Sequence, residues 1–143
     1  MKTRITTMFA AVVLAGNLVM LPAAFAETVI FKADLKASNE VPPNNSTATG
    51  LVDARFDTVT KNLSWTVTFS GMSGPAIGAH LHGPGEPGKN AGIVLPFNFV
   101  LSPIKGSATL TDTQAADLMG GRWYVNIHSE LNPGGEIRGQ LTR

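Results

Sequence analysis

Apolar and polar residues alternate along much of the chain with the period of two that marks a half-buried β-strand. The clearest run is TVIFKADLKA (28–37), where Val29, Phe31 and Leu35 alternate with polar neighbours. Turns rich in proline, glycine or asparagine separate it from similar runs at residues 48–56, 63–70, 76–82, 93–97, 104–110, 122–128 and 136–142. The pattern predicts about eight short strands.

One segment departs from this alternation. TDTQ (111–114) has the spacing of a helix capping box, residues 115–119 favour a helix, and the pair Gly120-Gly121 can end it. The sequence therefore predicts one short helix. About eight strands at roughly ten-residue spacing, with one helix, are typical of an antiparallel Greek-key β-sandwich, of which the immunoglobulin fold is one type.

The first 26 residues have the composition of a secretory signal peptide. Lys2 and Arg4 form a basic start, the apolar run MFAAVVLAGNLVML follows, and AFA (24–26) places small residues where signal peptidase cuts. We expect cleavage after Ala26, which leaves residues 27–143 as one periplasmic or secreted domain without a membrane span. A retained amino-terminal anchor is the alternative, against which the AFA triplet argues.

Charge and cysteine content narrow the range of functions. The whole chain has a net charge of +1, and loss of Lys2 and Arg4 changes it to −1. Without a clustered basic face, neither nucleic acid nor anionic lipid is expected as a partner. The chain has no cysteine, which excludes thiolate catalysis, cysteine-bound zinc, iron–sulfur clusters and blue copper. A metal site must therefore use histidine or oxygen ligands.

Two of the three histidines of the chain lie one residue apart in AHLHGPGEPG (79–88). Residues i and i+2 of a strand project from one face with Cα atoms ~6.6 Å apart, so His80 and His82 can reach the same ion. In WYVNIH (123–128), the third histidine, His128, falls on the polar face of its strand. These three residues are candidate ligands of one metal ion.

Three neutral imidazoles suit copper(II), zinc or another late first-row ion. Arg138 projects from the polar face of the last strand, which a tight turn joins to the strand of His128. It is a candidate anion guide beside the metal, or else a structural residue that forms a salt bridge or caps loop carbonyls. The alternative for the histidines is a set of solvated side chains at strand ends, with no metal.

Other groups that could carry chemistry have simpler interpretations. There is no nucleophile-elbow pattern and the acids are scattered rather than paired, so no catalytic residue is assigned. Two acidic residues are singled out, Glu40 in NEVPP and Glu136. Glu40 is expected to form a hydrogen bond with the backbone of its loop, which prolines stiffen. Trp65 and Trp123 are expected in the core.

Several segments together resemble the CHRD domain, named after chordin, a secreted antagonist of growth factors. They are NEVPP (39–43), ATG (48–50), LSWTVTFSGMSG (63–74), AHLHGPGEPG (79–88) and WYVNIHSELNPGGEIRGQL (123–141). The resemblance covers nearly all of residues 27–143. It implies an extracytoplasmic β-rich module of the stand-alone exported bacterial type and no particular activity.

A second, weaker resemblance concerns the histidines. The copper–zinc superoxide dismutases are Greek-key sandwiches with an HxH strand, a later ligand histidine before a glycine-rich loop, and a last strand that bears arginine. The three histidines and Arg138 occur here in that order, which implies a superoxide-dismutase-like sandwich with a copper-only or single-metal site. The bridging histidine, zinc-loop ligands and disulfide of those enzymes have no counterpart, which puts dismutation in doubt.

These patterns support three hypotheses. The first is an exported CHRD-domain protein that binds a metal ion, copper favoured and zinc second, through His80, His82 and His128. The second is an extracytoplasmic module that binds a protein or glycan without a metal. The third is a small copper-dependent enzyme like superoxide dismutase. The departures from the dismutases favour a non-enzymatic role.

Overall fold

The computed structural model describes residues 26–143, so the predicted signal peptide, apart from Ala26, lies outside the described residues. Within residues 26–143, eight strands and one α-helix, with a 3-10 helix at Ala37–Asn39, form the regular structure. They are β1 (Thr28–Lys36), β2 (Thr49–Asp57), β3 (Asn62–Ser70), β4 (Ala76–His82), β5 (Ile93–Pro96), β6 (Ile104–Thr109), α1 (Asp112–Met119), β7 (Tyr124–Ser129) and β8 (Ile137–Gln140). Within this described part, no helix is long and apolar enough to cross a membrane.

The period-two pattern decides which side chains enter the core. In β1, Phe31, Ala33 and Leu35 are buried, and the residues between them are exposed. The same alternation buries Val52 in β2 and Val67 in β3. Burying each large apolar side chain stabilises the fold by about 1.5–3 kcal/mol, which holds the register of these strands.

All eight strands belong to one antiparallel sheet with the order β5-β4-β7-β8-β1-β2-β3-β6. The neighbours β4/β7, β8/β1 and β3/β6 are not consecutive in the chain, so connections cross between strands as in a Greek key. The predicted all-β antiparallel fold with eight strands and one short helix is confirmed. Hydrogen bonding runs through a single curled sheet rather than through two separate ones.

The curling brings the two edges of the sheet towards each other. Phe97, next to edge strand β5, stacks on Trp65 of β3, the neighbour of the other edge strand β6, with ring centroids 5.1 Å apart. Trp65 and Trp123 both lie in the core, as expected. We call this junction between β5 and β6 the seam; it is held by side chains and not by a backbone ladder.

The helix forms where its capping signal predicted. The hydroxyl of Thr111 accepts a hydrogen bond from the backbone N–H of Gln114, and the Gln114 side chain accepts one from the backbone of Thr111. Gly121 adopts a φ of 71° just beyond the helix, a conformation that favours glycine. Ala115 and Leu118 face the core, so α1 packs on the sheet by one short apolar stripe.

Strands β4, β7 and β8 lie side by side and carry the polar side chains of interest. One face of these strands buries Leu81, Ile127 and Ile137 in the core. The opposite face, which the alternation predicts to be polar, is largely buried: Asn126 and Arg138 are only 3% and 2% exposed. The loops on this side therefore cover a polar face, which we call the covered face.

Gly106 offers a test of the packing near the seam. It is the cross-strand partner of Trp65, and a Cβ atom at this position would lie 2.6 Å from Cζ2 of the indole. Gly106→Ala should lower the free energy of unfolding by about 1–3 kcal/mol, the usual effect of overpacking. Urea unfolding measures this change.

Gly92→Ala is the matched control, because a Cβ atom there meets nothing within 4 Å. It should change stability by less than about 0.5 kcal/mol. Equal effects of the two substitutions would contradict the proposed contact between Gly106 and Trp65.

Candidate functional site

Strands β4 and β7 bring the three histidines together on the covered face. Gly78 pairs with His128 and His80 pairs with Asn126, so His80 and His128 are diagonal neighbours. His82 lies two residues along β4 from His80 on the same face. A Cβ atom at residue 78 would lie 3.3 Å from Cε1 of His80 and 3.7 Å from Cδ2 of His128. Glycine at this position leaves room for both rings.

One ring nitrogen of each histidine lies within 4.8 Å of the others. Nδ1 of His80 and Nε2 of His128 lie 3.1 Å apart, at hydrogen-bond distance from each other. Metal–nitrogen bonds of about 2.0–2.1 Å place two ligand nitrogens about 3–3.5 Å apart. Among residues 26–143, this is the one group of three histidine or acidic side chains that converges in this way.

Backbone carbonyls orient two of the rings. Nδ1 of His82 lies 3.0 Å from the carbonyl oxygen of Ala91, and Nδ1 of His128 lies 2.9 Å from that of Pro133. A carbonyl oxygen only accepts, so each Nδ1 carries the hydrogen and donates it. In the neutral rings Nε2 then holds the lone pair. Metal-ligating histidines are commonly oriented by such bonds.

The Nε2 atom of His82 is buried and has no hydrogen-bond partner among the described residues. Since the hydrogen of this ring is on Nδ1, Nε2 presents a lone pair without a donor. An unsatisfied buried polar atom costs about 1–3 kcal/mol. A metal ion or a proton donor within the cluster would remove that cost.

Two of the histidines, His80 and His82, are kept in the form that binds metals. Burial, together with the nearby rings of His128 and His82, lowers the pKa of His80 to about 4. Burial also lowers the pKa of His82, and this effect outweighs the opposing hydrogen bond to Ala91. Both rings are therefore neutral at pH 7, and neutral imidazole is the metal-ligating state.

Tyr124 connects the histidines to Arg138. Its ring stacks on His82 with centroids 4.9 Å apart and an interplanar angle of 3°, and the Arg138 guanidinium carbon lies 3.4 Å from the tyrosine centroid. The terminal nitrogens of Arg138 donate to the carbonyl oxygen of Lys89 and to Oδ1 of Asn90. Arg138 thus holds the loop that follows β4, and its role as an anion guide stays a prediction.

The loop at residues 83–92, which we call the β4–β5 loop, is fastened at further points. The backbone N–H of Ala91 donates to the hydroxyl of Tyr124 at 3.0 Å. Nδ2 of Asn90 donates to the carbonyl oxygen of Val41 at 3.0 Å, which ties this loop to the segment after the 3-10 helix. The position of the His82 partner, Ala91, is therefore set by several independent contacts.

Glu40 lies on the covered face and is 5% exposed. Its Oε1 accepts a hydrogen bond of 2.7 Å from Nδ2 of Asn126, so the expected bond to backbone is replaced by one to a side-chain amide. The carboxylate lies against Gly135, where a Cβ atom would be 2.7 Å from either oxygen. Burial raises the pKa of Glu40 to about 7, although Arg138 and Asn126 act in the opposite direction.

Glu136 has a structural role. It is fully buried and accepts hydrogen bonds from the Ser46 hydroxyl at 2.6 Å and from the backbone N–H of Ser73 at 2.8 Å. Burial opposes its ionisation, but hydrogen bonds from Ser129, Ser46 and Ser73 outweigh burial and lower the pKa of Glu136 to about 2. The ionised carboxylate joins three segments of the chain.

Sequence reasoning identified the three histidines but not the groups that support them. The alternation in β7 placed Tyr124 and Asn126 on the same face as His128, which was a usable signal for both. The carbonyl groups of Ala91 and Pro133 act through the backbone, and their side chains carry no mark of this contact. Glu40 and Asn126 are 86 residues apart, and no local pattern joins them.

Comparison with known proteins identifies one family. The profile of the CHRD domain matches residues 31–141, a span that contains the three histidines, Glu40 and Arg138. No curated protein and no solved structure matches the chain. The resemblance to superoxide dismutases stays a prediction.

The raised pKa of Glu40 makes a prediction about stability. Because the folded value of about 7 exceeds the ordinary 4.5, the folded state binds this proton more tightly than the unfolded chain. The stability that Glu40 contributes is present below the unfolded pKa and is lost as pH rises through the folded pKa. Glu40→Gln stays neutral and should not show this loss.

Urea unfolding of wild type and Glu40→Gln at about pH 5 and about pH 8 tests this. From pH 5 to pH 8, the unfolding free energy of the variant should rise relative to that of the wild type by roughly 2–3 kcal/mol. A difference that is the same at both pH values would contradict an elevated pKa for Glu40.

Proposed function

The chain belongs to the CHRD domain family, and we propose that it is an exported module that binds one transition-metal ion, copper in particular, through His80, His82 and His128. CHRD domains are typically extracellular. This property and the predicted signal peptide support a periplasmic or secreted location.

The observation that carries the metal proposal is the state of His82. Its Nδ1 donates to Ala91, and its Nε2 lone pair is buried without a partner among the described residues. Native proteins rarely leave such an atom unsatisfied. A ring nitrogen of His80 and one of His128 lie within 4.8 Å of one on His82, which favours a shared cation over a lone proton donor as the partner of His82.

The donor set supports copper(II), with zinc as the alternative. Three imidazoles are borderline ligands that suit both ions, and the affinity order of the first-row divalent ions places copper above zinc. The chain contributes no thiolate, since it has no cysteine. The Nδ1 bonds of His82 and His128 reduce the reorganisation that ion binding requires, and the neutral rings of His80 and His82 need no deprotonation.

We predict that the purified protein binds one equivalent of Cu(II) with a nitrogen-rich EPR signal. His80→Ala, His82→Ala and His128→Ala should each weaken binding by more than the 10- to 100-fold typical of losing a supporting partner, because each removes a ligand. Isothermal titration calorimetry measures stoichiometry and affinity, and a parallel titration with Zn(II) gives the preference between the ions.

Asp53→Asn is the matched control, since it changes an exposed carboxylate on β2, three strands from β7 in the sheet order. It should bind copper as the wild type does. At a metal concentration about 100 times Kd, binding should also raise the free energy of unfolding by about 2.7 kcal/mol, and a chelator should reverse this. If the variant with His80, His82 and His128 all changed to alanine bound copper as tightly as the wild type, the proposal would be wrong.

A further inference from the structure

A cleft of about 470 Å³ lies between the segment after the 3-10 helix and the β4–β5 loop. Its walls include Glu40, Val41 and Pro43 on one side and Pro87 on the other, and Gln140 of β8 also lines it. We call it the Glu40 cleft. None of the three histidines lines it, so it is separate from the candidate metal site.

Glu40 is a buried carboxylate with few compensating contacts. Among the described residues it accepts one hydrogen bond, from Asn126 to Oε1, and it forms no ion pair within 4.0 Å. Its Oε2 has no hydrogen-bond partner in this part of the chain. Buried carboxylates are normally paired with a cation or several donors. The elevated pKa of Glu40 agrees with this shortage.

The two amide side chains of the cleft have no donors left. Nδ2 of Asn39 donates to the carbonyl oxygens of Asp34 at 3.2 Å and Arg138 at 3.0 Å. A side-chain amide has two N–H groups, so Oδ1 is the group that Asn39 still offers.

Gln140 is used in the same way. Its Nε2 donates to the carbonyl oxygens of Gly85 at 2.9 Å and Gly121 at 2.7 Å. Its Oε1 is therefore the remaining group. The cleft residues thus offer three acceptors: a carboxylate oxygen of Glu40, Oδ1 of Asn39 and Oε1 of Gln140.

We propose that the Glu40 cleft binds a primary alkylammonium group, and specifically a lysine side chain of a partner polypeptide. An ammonium group has three N–H donors and no acceptor, which matches the three free acceptors of Glu40, Asn39 and Gln140. The rings of Pro43 and Pro87 provide apolar walls for the methylene stem of the ligand. Lysine side chains commonly pack this stem against such surfaces. Arg138 also lines the cleft, and its guanidinium donates to Lys89 and Asn90. Its charge disfavours a divalent cation more than a monovalent one.

The test titrates metal-free protein with Nα-acetyl-lysine N-methylamide and follows backbone and side-chain amide NMR signals. The lysine derivative should shift the side-chain signals of Asn39 and Gln140 with a Kd on the order of millimolar, typical of one small group. The norleucine derivative, which lacks the ammonium group and ends in a methyl group at the position of Cε, should cause no such shift. Binding that is equal for the two derivatives would overturn the proposal.

Ser38 allows a charge test at the rim without disturbing the fold, because its side chain is exposed and lines the cleft. Ser38→Asp should tighten lysine binding by about two- to fivefold and Ser38→Lys should weaken it by a similar factor. Glu40→Gln should abolish it. Affinity that is the same in all three variants would rule out the Glu40 cleft as the binding site.

Two further titrations test whether the ligand is a lysine side chain rather than another amine, and whether it is an ammonium group rather than a metal cation. Exclusion of the lysine derivative together with binding of n-butylamine would overturn the assignment to lysine, and calcium chloride acting on the same signals would overturn the assignment to an ammonium group. The triple histidine-to-alanine variant should bind the lysine derivative as the wild type does. Failure of this proposal and failure of copper binding are therefore separate results.

Discussion

Covering a polar face with loops forces each polar group beneath them to find a partner inside the protein, and the arrangement of the whole site depends on this constraint. Arg138 donates to the side chain of Asn90 in the loop and lies over the ring of Tyr124. Glu136 accepts hydrogen bonds from the hydroxyl and the backbone N–H of Ser73. Nε2 of His82 and Oδ1 of Asn126 are buried on this face without partners among the described residues. On the covered face, the buried groups without a partner are thus beside the histidines and Glu40.

The strands and the loops contribute different things to this face. Strand register sets the spacing of the histidines, since His80 and His128 meet through a fixed diagonal relation in the β4–β7 pair. The loops set ring orientation, because the carbonyls of Ala91 and Pro133 determine which nitrogen carries the hydrogen. The β4–β5 loop also forms a wall of the Glu40 cleft. One loop therefore shapes two chemically different places.

Most of the fold could be predicted because its signals are local. Alternation in β1 to β3, the capping box at Thr111 and the glycines after α1 act within a few residues of the structure they determine. The pairing of His80 with His82 followed from strand parity in the same way. The covering of the polar face could not be predicted, since it rests on contacts such as Asn90 to Val41, 49 residues apart. Glu40 was assigned a backbone contact for the same reason: its actual partner, Asn126, is distant in sequence.

The seam has a consequence for how this chain can vary. No backbone ladder joins β5 to β6, so the segment between them can change in length without shifting the register of any strand. Phe99 and Leu101 within it are 75% and 82% exposed, so the core places little demand on their identity. Insertions, deletions and substitutions are tolerated where such freedom exists. Among relatives with this fold, we expect positions 99 and 101 to accumulate differences while the strands that carry the histidines keep their spacing.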